Sequence, residues 1–498
     1  MYLGVDFGTT FSQAATLNFS QLEVLHRYGV YGIPSEFYYD SQEGIKIGSD
    51  ALGEGQGTQA KNLVTEVKMK LKESFNLDGK DFYASDIVKA IYKEVIQEAI
   101  KIAEERSISV TDIEGLVLSH PAKFGIQECN LIREAAKNCL GEGKELKITG
   151  MIKEPVAAAI AYYHNQQMSD KTNVLVYDLG GGTCDVAIVQ SDAKLKERFT
   201  VKDSDMIRLG GRDWDKALID FIIDKIENEL SESSRALDIR GDYELMDTIR
   251  REAINAKERL TDHDNYKVRI FSRKAGEQFS YLITREQFEQ ITVDLLEATL
   301  DKLEEVYNRN SDVASTISEI ILVGGSSKMC QVKDGIQRRF PDCTVKLFYP
   351  ELAVIRGTAI YAELVGSGGG IKDFIPFSYG VRCLKDAKEP KNYVIQNIIF
   401  KGNNFPISIE SDKFKISNNG KSVDVAVYAS ECEEEIYPCD GTRGETMVGS
   451  VTLKSPNGLK ANEIIYCTLS VNDMSEIEVN ARNENGEKIS AKFNLMAI

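Results

Sequence analysis

The stretch VLVYDLGGGTCDVAIV, residues 174–189, joins an apolar run ending in Asp178 to a second apolar run opened by Asp185, through three consecutive glycines and Thr183. Three glycines between strand-like runs weaken a sheet unless something must approach the backbone closely. Glycine also lets successive N–H groups point at an anion, so Gly180, Gly181 and Gly182 read as a phosphate-facing turn between two strands. LGVDFGTTFSQAATL (3–17) repeats the plan, with Asp6 matching Asp178 and Gly8, Thr9 and Thr10 in the turn. Two such hairpins facing each other supply N–H groups from both sides, with a carboxylate at each base to hold a hydrated divalent cation. DFGTT alone reads as an ordinary hairpin; the pair points to phosphates bound between two lobes.

Other segments extend the pattern. RLGGRDWDKAL (208–218) and EIILVGGSSKM (319–329) place Gly210–Gly211 and Gly324–Gly325 between a strand and a helix, where helix N-termini favour anions or a nucleotide's ribose and base, although each alone suits an ordinary turn. Trp214, the single tryptophan, lies beside the first of these, and lobe closure is expected to change its exposure. IKEPVAAAIAYY (152–163) sets Glu154 before a proline-initiated helix, as a site residue or a plain cap. Lys68, in NLVTEVKMKL, reads without context as a solvated lysine.

Up to about residue 365 strands alternate with amphipathic helices. In SDIVKAIYKEVIQEAIKIAEERS, Ile87, Ile91, Val95, Ala99 and Ile102 recur at helical spacing with Ser85 placed as the cap, and the strand GLVLSHPA follows. From 373 onward VDVAVYAS, IIYCTLSV and SEIEVNARN form short strands broken by NNG, PNG and ENG. The expectation is an α/β domain over 1–365, a Gly-rich linker over 366–372 and an all-β domain over 373–498.

A chain of 498 residues, 42% hydrophobic, fills more than one core. Its net charge of −17 excludes a general nucleic-acid binder. Without a leader-like or membrane-length apolar run it reads as soluble, with no membrane partner. Nine cysteines without a CxxC pair, beside four histidines, read as reduced cytoplasmic thiols, not a disulfide framework or a metal site.

GVDFGTT, DLGGGTCDVAIV, IKEPVAAAIAYY, LGGRDWD and ILVGGSSKM, in this order and spacing, closely resemble the ATPase domain of the seventy-kilodalton heat-shock chaperone family; sugar kinases and actins share only the looser two-lobed plan. IPFSYGVRCL and FKGNNFPISIESDKFKISNNGKSVDVAVYAS resemble that family's peptide-binding β-sandwich. The resemblance implies an actin-like ATPase domain that binds ATP or ADP with Mg2+. Asp6, Thr9, Lys68, Glu154, Asp178, Thr183 and Asp185 match positions around the metal and γ-phosphate, with Asp6 and Asp178 holding the metal through water. Lys257, Gly324, Ser326 and Lys328 match positions around the nucleoside, Lys328 standing where the family usually has arginine. Val381, Cys383, Phe414, Val423 and Val425 match a slot for extended hydrophobic peptides of unfolded proteins, arched by Leu384 and Ser417; the same residues would equally fill a β-core. The acidic loop ECEEEIYPCDGTRGE would disfavour acidic clients or be a solvated charge run.

Departures qualify the resemblance. The sequence stops at KFNLMAI where the family continues into a helical lid, so a lidless member is expected. The segment between Leu71 and Asp86 is short, which puts exchange-factor binding in doubt, and Gly150 and Cys129 replace arginines of the J-domain and interdomain circuitry. Of the family's leucine-rich linker only Ile371 survives, so weak interdomain coupling is expected. Two other readings stand beside an ATP-hydrolysing chaperone: a small-molecule kinase of the wider superfamily, and an ATP-binding regulator of one dedicated partner.

Overall fold

The computed structural model describes residues 1–18, 21–26, 32–108, 113–141, 143–166, 172–192, 199–230, 238–369, 371–375, 377–386, 389, 392–472 and 477–493. Gly370 and residues 494–498, both within segments singled out above, lie outside them. The chain divides into one unit of Met1–Lys123 with Ile132–Gly369, and another of Phe124–Leu131 with Gly370–Ile498.

In the first unit the apolar runs around each glycine turn pair as antiparallel hairpins. Tyr2–Phe7 pairs with Phe11–Asn18, setting Asp6 opposite Gln13, and Thr172–Leu179 pairs with Cys184–Ser191, setting Asp178 opposite Asp185. The first strand of each hairpin takes a parallel neighbour, Gly115–His120 or Ile317–Val323, which takes another, Ile148–Lys153 or Thr344–Leu347. On the far side the hairpins gain Gln21–Val24 and Phe199–Ile207. Over these five strands the two orders correspond one for one, so the short repeat around Asp6 and Asp178 extends well beyond the hairpins. Parallel neighbours need crossover connections, which the helices supply.

The helical period around Ile87 buries Ile87, Ile91, Val95, Ala99 and Ile102 on one face of Ala84–Glu105. Ser85 is not the cap. The helix starts one residue earlier, and the Asp86 carboxylate accepts the Tyr83 N–H at 3.3 Å, closing the first turn from inside. The short Leu71–Asp86 segment folds as the hairpin Ser74–Leu77 and Lys80–Tyr83.

Helices Glu154–Gln166 and Ala353–Gly366 each follow the outer parallel strand of their sheet and pack on one another. Small residues make this possible. A Cβ on Gly357 would overlap the Ala157 carbonyl, and one on Gly4 would come within 2.6 Å of the Ala359 nitrogen. Trp214 is 0% exposed, packed with Tyr177, Leu218 and Ile222, so the expected change in its exposure could only be a gain.

The glycine run after this helix begins as a helix stop. Gly368 adopts φ +78°, its N–H reaching the Val365 carbonyl, while the Gly369 N–H reaches the Leu364 carbonyl at 2.8 Å. These two bonds satisfy carbonyls the helix leaves free, the left-handed turn that glycine adopts without a Cβ penalty. Within the expected linker, Ile371 and Lys372 belong to the strand Ile371–Phe374, paired with Asn404–Phe405.

The second unit contains two antiparallel sheets. One runs Ile436–Pro438, Tyr393–Ile399, Ser378–Leu384, Gly420–Ser430, Thr446–Leu459; the other runs Ile407–Lys415, Ile464–Val471, Ile477–Asn483, Lys488–Phe493. Period-two burial along Ile464–Val471 and Ile477–Asn483 puts Cys467, Leu469, Ile477 and Val479 into one core with Val427 and Leu453 of the other sheet. PNG does not break a strand as expected: it lies inside Thr446–Leu459, where Gly458 takes φ +82° and the pairing slips register near Gly420. All nine cysteines are free thiols, and no helix among the described residues is long and apolar enough to cross a membrane.

Gly357→Ala forces a methyl group into backbone that cannot recede. It is expected to destabilise the first unit by about 1–3 kcal/mol, read as a lower urea midpoint with unchanged slope.

Candidate functional site

The ends of the matching strands bring the expected acidic and basic residues together. Lys68, on the turn Val67–Met69, is 3% exposed and pairs with Glu154 Oε1 at 2.6 Å, at the start of helix Glu154–Gln166. Asp6 and Asp178 lie at the end of the first strand of each hairpin, and Asp185 at the start of the second hairpin's return strand. Ser119 donates to Asp6 Oδ1 at 2.5 Å, and the Ala122 N–H donates to Asp185 Oδ1 at 2.6 Å. Asp185 Oδ2 is buried without a hydrogen-bond partner.

Four carboxylates share one buried ammonium, Glu154, Asp178 and Asp185 buried and Asp6 partly so. Ionising all of them would leave an uncompensated negative charge. Burial accordingly raises Asp6 above its usual range and Asp178 well above it, although Lys68 pulls both down. Burial lifts Glu154 to about 8 and Asp185 to about 6. For Lys68 burial works the other way, but Glu154 and Asp6 outweigh it and hold the lysine charged. This donor set, with its orphaned carboxylate oxygen, fits an added cation. No three His, Cys, Asp or Glu side chains among the described residues converge closely enough to grip a bare ion, so the carboxylates suit one that keeps its water.

Above the carboxylates the glycine turns stack. The Gly211 N–H donates to Gly180 O at 2.9 Å and Ser326 Oγ to Gly180 O at 3.0 Å. A Cβ on Gly210 would lie 2.5 Å from the Gly181 carbonyl carbon, and one on Gly182 would lie 3.1 Å from Thr9 Cγ2. Close approach between turns thus explains glycines that the sequence assigns to phosphate alone. Thr9, Thr10, Gly180–Gly182, Gly210, Gly211, Gly324 and Ser326 form one neighbourhood, Gly8 lies at the base of the first turn, and space beside Gly325 is open. The Thr183 side chain reaches Asp185. Lys257 spans Asp215 at 2.7 Å and the Gly211 carbonyl at 3.0 Å, while Lys328 pairs with Glu351.

Sequence reasoning missed Ser119, Ala122 and a charged group of Glu36, Glu66 and Arg212. Only Arg212, lodged in LGGRDWD, carried a visible signal, as a bulky charge in a glycine turn. Beside Ala122, Lys123 pairs with Asp205 at 2.7 Å, and Arg309 reaches the same carboxylate at 2.7 Å.

In the second unit Val381 and Val425 are buried in the core; Phe414 and Val423 pack against it partly exposed; Cys383 and Leu384 are half-buried; Ser417 is exposed. In the acidic loop Glu431, Glu434 and Glu435 pair with Lys401, Arg443 and Lys413.

A family model described as Hsp70 protein matches residues 2–492. Chaperone protein DnaK from two strains of Halobacterium salinarum is similar, each 29% identical over 443 residues, 86% of this chain. The match spans 66% of the length of these curated relatives.

For Asp205, burial alone would raise the pKa, but Lys123, Arg309 and the Met206 N–H bring it down from 3.8 to about 2. A lowered folded value means stability that is present above the unfolded value and lost as pH falls through the folded one. Asp205→Asn is expected to cost about 2 kcal/mol at pH 7 by this linkage. The gap from wild type should narrow below pH 3.8 and close near pH 2, as followed by urea unfolding at several pH values.

Proposed function

The chain belongs to the Hsp70 protein family, and from that premise we propose that it is an ATP-binding, ATP-hydrolysing molecular chaperone that binds exposed hydrophobic segments of unfolded proteins. In this reading the first unit is a two-lobed actin-like ATPase domain over 1–365, residues 366–372 are the linker and 373–498 form a peptide-binding β-sandwich. The observation that carries it is the buried Lys68–Glu154 pair among Asp6, Asp178 and Asp185 beneath stacked glycine turns.

Phosphates would lie against the turns Gly8–Thr10 and Gly180–Gly182, with Lys257, Ser326 and Lys328 toward the nucleoside. Asp6 and Asp178 would hold Mg2+ through its water, and when bound the metal neutralises charge on the phosphates. Lys68 then stabilises charge on the transferred phosphoryl group. Burial pushes the Glu154 carboxyl up, and its contact with Lys68 keeps the ammonium aimed. Asp185, fixed by the Ala122 N–H, and Thr183 orient the attacking water. In the β-sandwich Val381 and Val425 would form the floor of the peptide slot, Cys383, Phe414 and Val423 its sides, and Leu384 with Ser417 its arch. The paired glutamates of the acidic loop present less net charge to a client than their number suggests. J-domain proteins and exchange factors would be the partners of such an ATPase, with Gly150, Cys129 and the short Leu71–Asp86 segment weighing against both in this chain.

Asp178→Asn should lower Mg2+-dependent ATP turnover by about 10²-fold or more with circular dichroism unchanged, because a group at the cation acts on the transition state. Unchanged turnover at saturating MgATP would remove Asp178 from the site. Transfer of the γ-phosphate to an added small-molecule acceptor would favour the kinase reading, and recovery of one stoichiometric protein would favour a dedicated regulator.

We further propose weak coupling between the two activities. A linker with one isoleucine offers little apolar surface to dock, about 1.5–3 kcal/mol at most. ATP is expected to change peptide affinity less than about tenfold, under about 1.4 kcal/mol. A fluorescent-peptide titration in ADP and in ATP measures it, and a hundredfold loss of affinity in ATP would refute weak coupling.

A further inference from the structure

Arg212 follows the glycine pair of LGGRDWD, so its side chain leaves the backbone where the glycine turns stack. Its N–H donates to the Gly181 carbonyl at 3.0 Å, anchoring it to the second hairpin's turn. The guanidinium crosses to the other sheet. Nη2 donates to the Thr9 carbonyl at 3.1 Å and to Glu36 Oε1 at 3.2 Å, and Nη1 pairs with Glu66 Oε1 at 2.8 Å.

Each of these partners holds a different part of the site. Thr9 lies in the first hairpin's turn. Glu36 follows Ser35, whose hydroxyl donates to the Gly8 carbonyl at 2.8 Å and whose N–H donates to the Thr10 carbonyl at 2.8 Å, so Glu36 rides on the strut behind that turn. Glu66 stands two residues before Lys68 at φ 63°, a left-handed conformation that glutamate seldom adopts, and heads the turn carrying the lysine. One fork-shaped cation therefore ties three turns together, a task suited to the planar geometry of arginine and not to the point charge of lysine.

The cluster is poorly optimised for stability alone. Glu36 Oε2 is buried with no hydrogen-bond partner, and burial raises this carboxyl to about 7 despite Arg212. Buried ion pairs of this kind are weak contributors to stability, so position is the better account of what the contacts achieve.

We propose that Arg212 is a positioning residue for phosphoryl transfer, strapping the Lys68 turn and the Thr9 turn to the second sheet's glycine turns, and that loosening this strap speeds nucleotide release. The inference rests on the ATPase reading above. Without the strap, Lys68 and Thr9 lose their register with the opposite turns, and misplacement on the order of 1 Å costs turnover steeply.

The test measures kcat, KM and the release rate of a fluorescent ADP analogue in wild type, Arg212→Gln, Arg212→Lys, Glu66→Gln and the Arg212→Gln/Glu66→Gln double variant. Arg212→Gln is expected to lower kcat about tenfold and speed release by a similar factor, with KM moving less than kcat. Arg212→Lys, which keeps the charge but not the fork, should recover part of both effects. Glu66→Gln should show a smaller loss, and the double variant should be no worse than Arg212→Gln, because both remove one interaction. Turnover and release within twofold of a hydrolysing wild type, or additive losses, would overturn the proposal. Should Arg212→Gln fail to fold, unchanged kinetics in a folded Glu66→Gln would overturn it alone. A wild type that binds no MgATP would overturn both this strap and the ATPase reading, whereas normal wild-type turnover with indifferent variants overturns the strap only.

Discussion

A lysine buried beside more carboxylates than it can neutralise governs the first unit. Lys68 meets Glu154 at 2.6 Å with Asp178 and Asp185 buried close by and Asp6 at the edge of the group. Such a group is tolerable only where its parts are held by structure that cannot relax, since breaking one partner of a buried pair strands the other. The matching sheets provide that rigidity: Asp6 and Asp178 lie at the ends of equivalent strands, and Ser119 and the Ala122 N–H fix two of the carboxylates from neighbouring segments.

Close backbone approach is the second requirement, and it follows from the first. Turns that crowd above the carboxylates leave no room for side chains, and the helices behind them meet through Gly357 and Ala157. Glycine and alanine thus appear where segments cross, while Val and Ile pack the strands, as Val186, Ile188 and Val189 do in Cys184–Ser191, which is buried at every position.

The sequence made the hairpins legible because their residues are local: an aspartate, glycines and a threonine within eight positions survive any uncertainty about the rest of the chain. Alternation of strands and helices was legible for the same reason. Contacts made across the fold were not. Ser119 read only as part of a strand, and nothing local in the sequence ties Glu36 and Glu66 to Arg212 until folding brings them together. Ser85 failed as a cap because Asp86, one position later, closes the turn from within. Trp214 sat beside a site turn in sequence, but helical spacing points its ring into the core. In the glycine run at 366–370, Gly368 also ends a helix, by a bond pattern that composition does not reveal.

The strand Tyr2–Phe7 and the helix Ala353–Gly366 lie against each other, Gly4 meeting the Ala359 backbone, and beside them Gln13 donates to the Glu351 carbonyl across 338 positions of sequence. On a ribosome the opening hairpin must therefore wait for its covering helix. At a synthesis rate of about 5–20 residues per second the delay is on the order of tens of seconds. During that interval Leu3, Val5 and Ala15, fully covered in the finished fold, face solvent or whatever shields the nascent chain. A protein of this topology has high contact order in its first unit and is itself a customer for protection while it is being made.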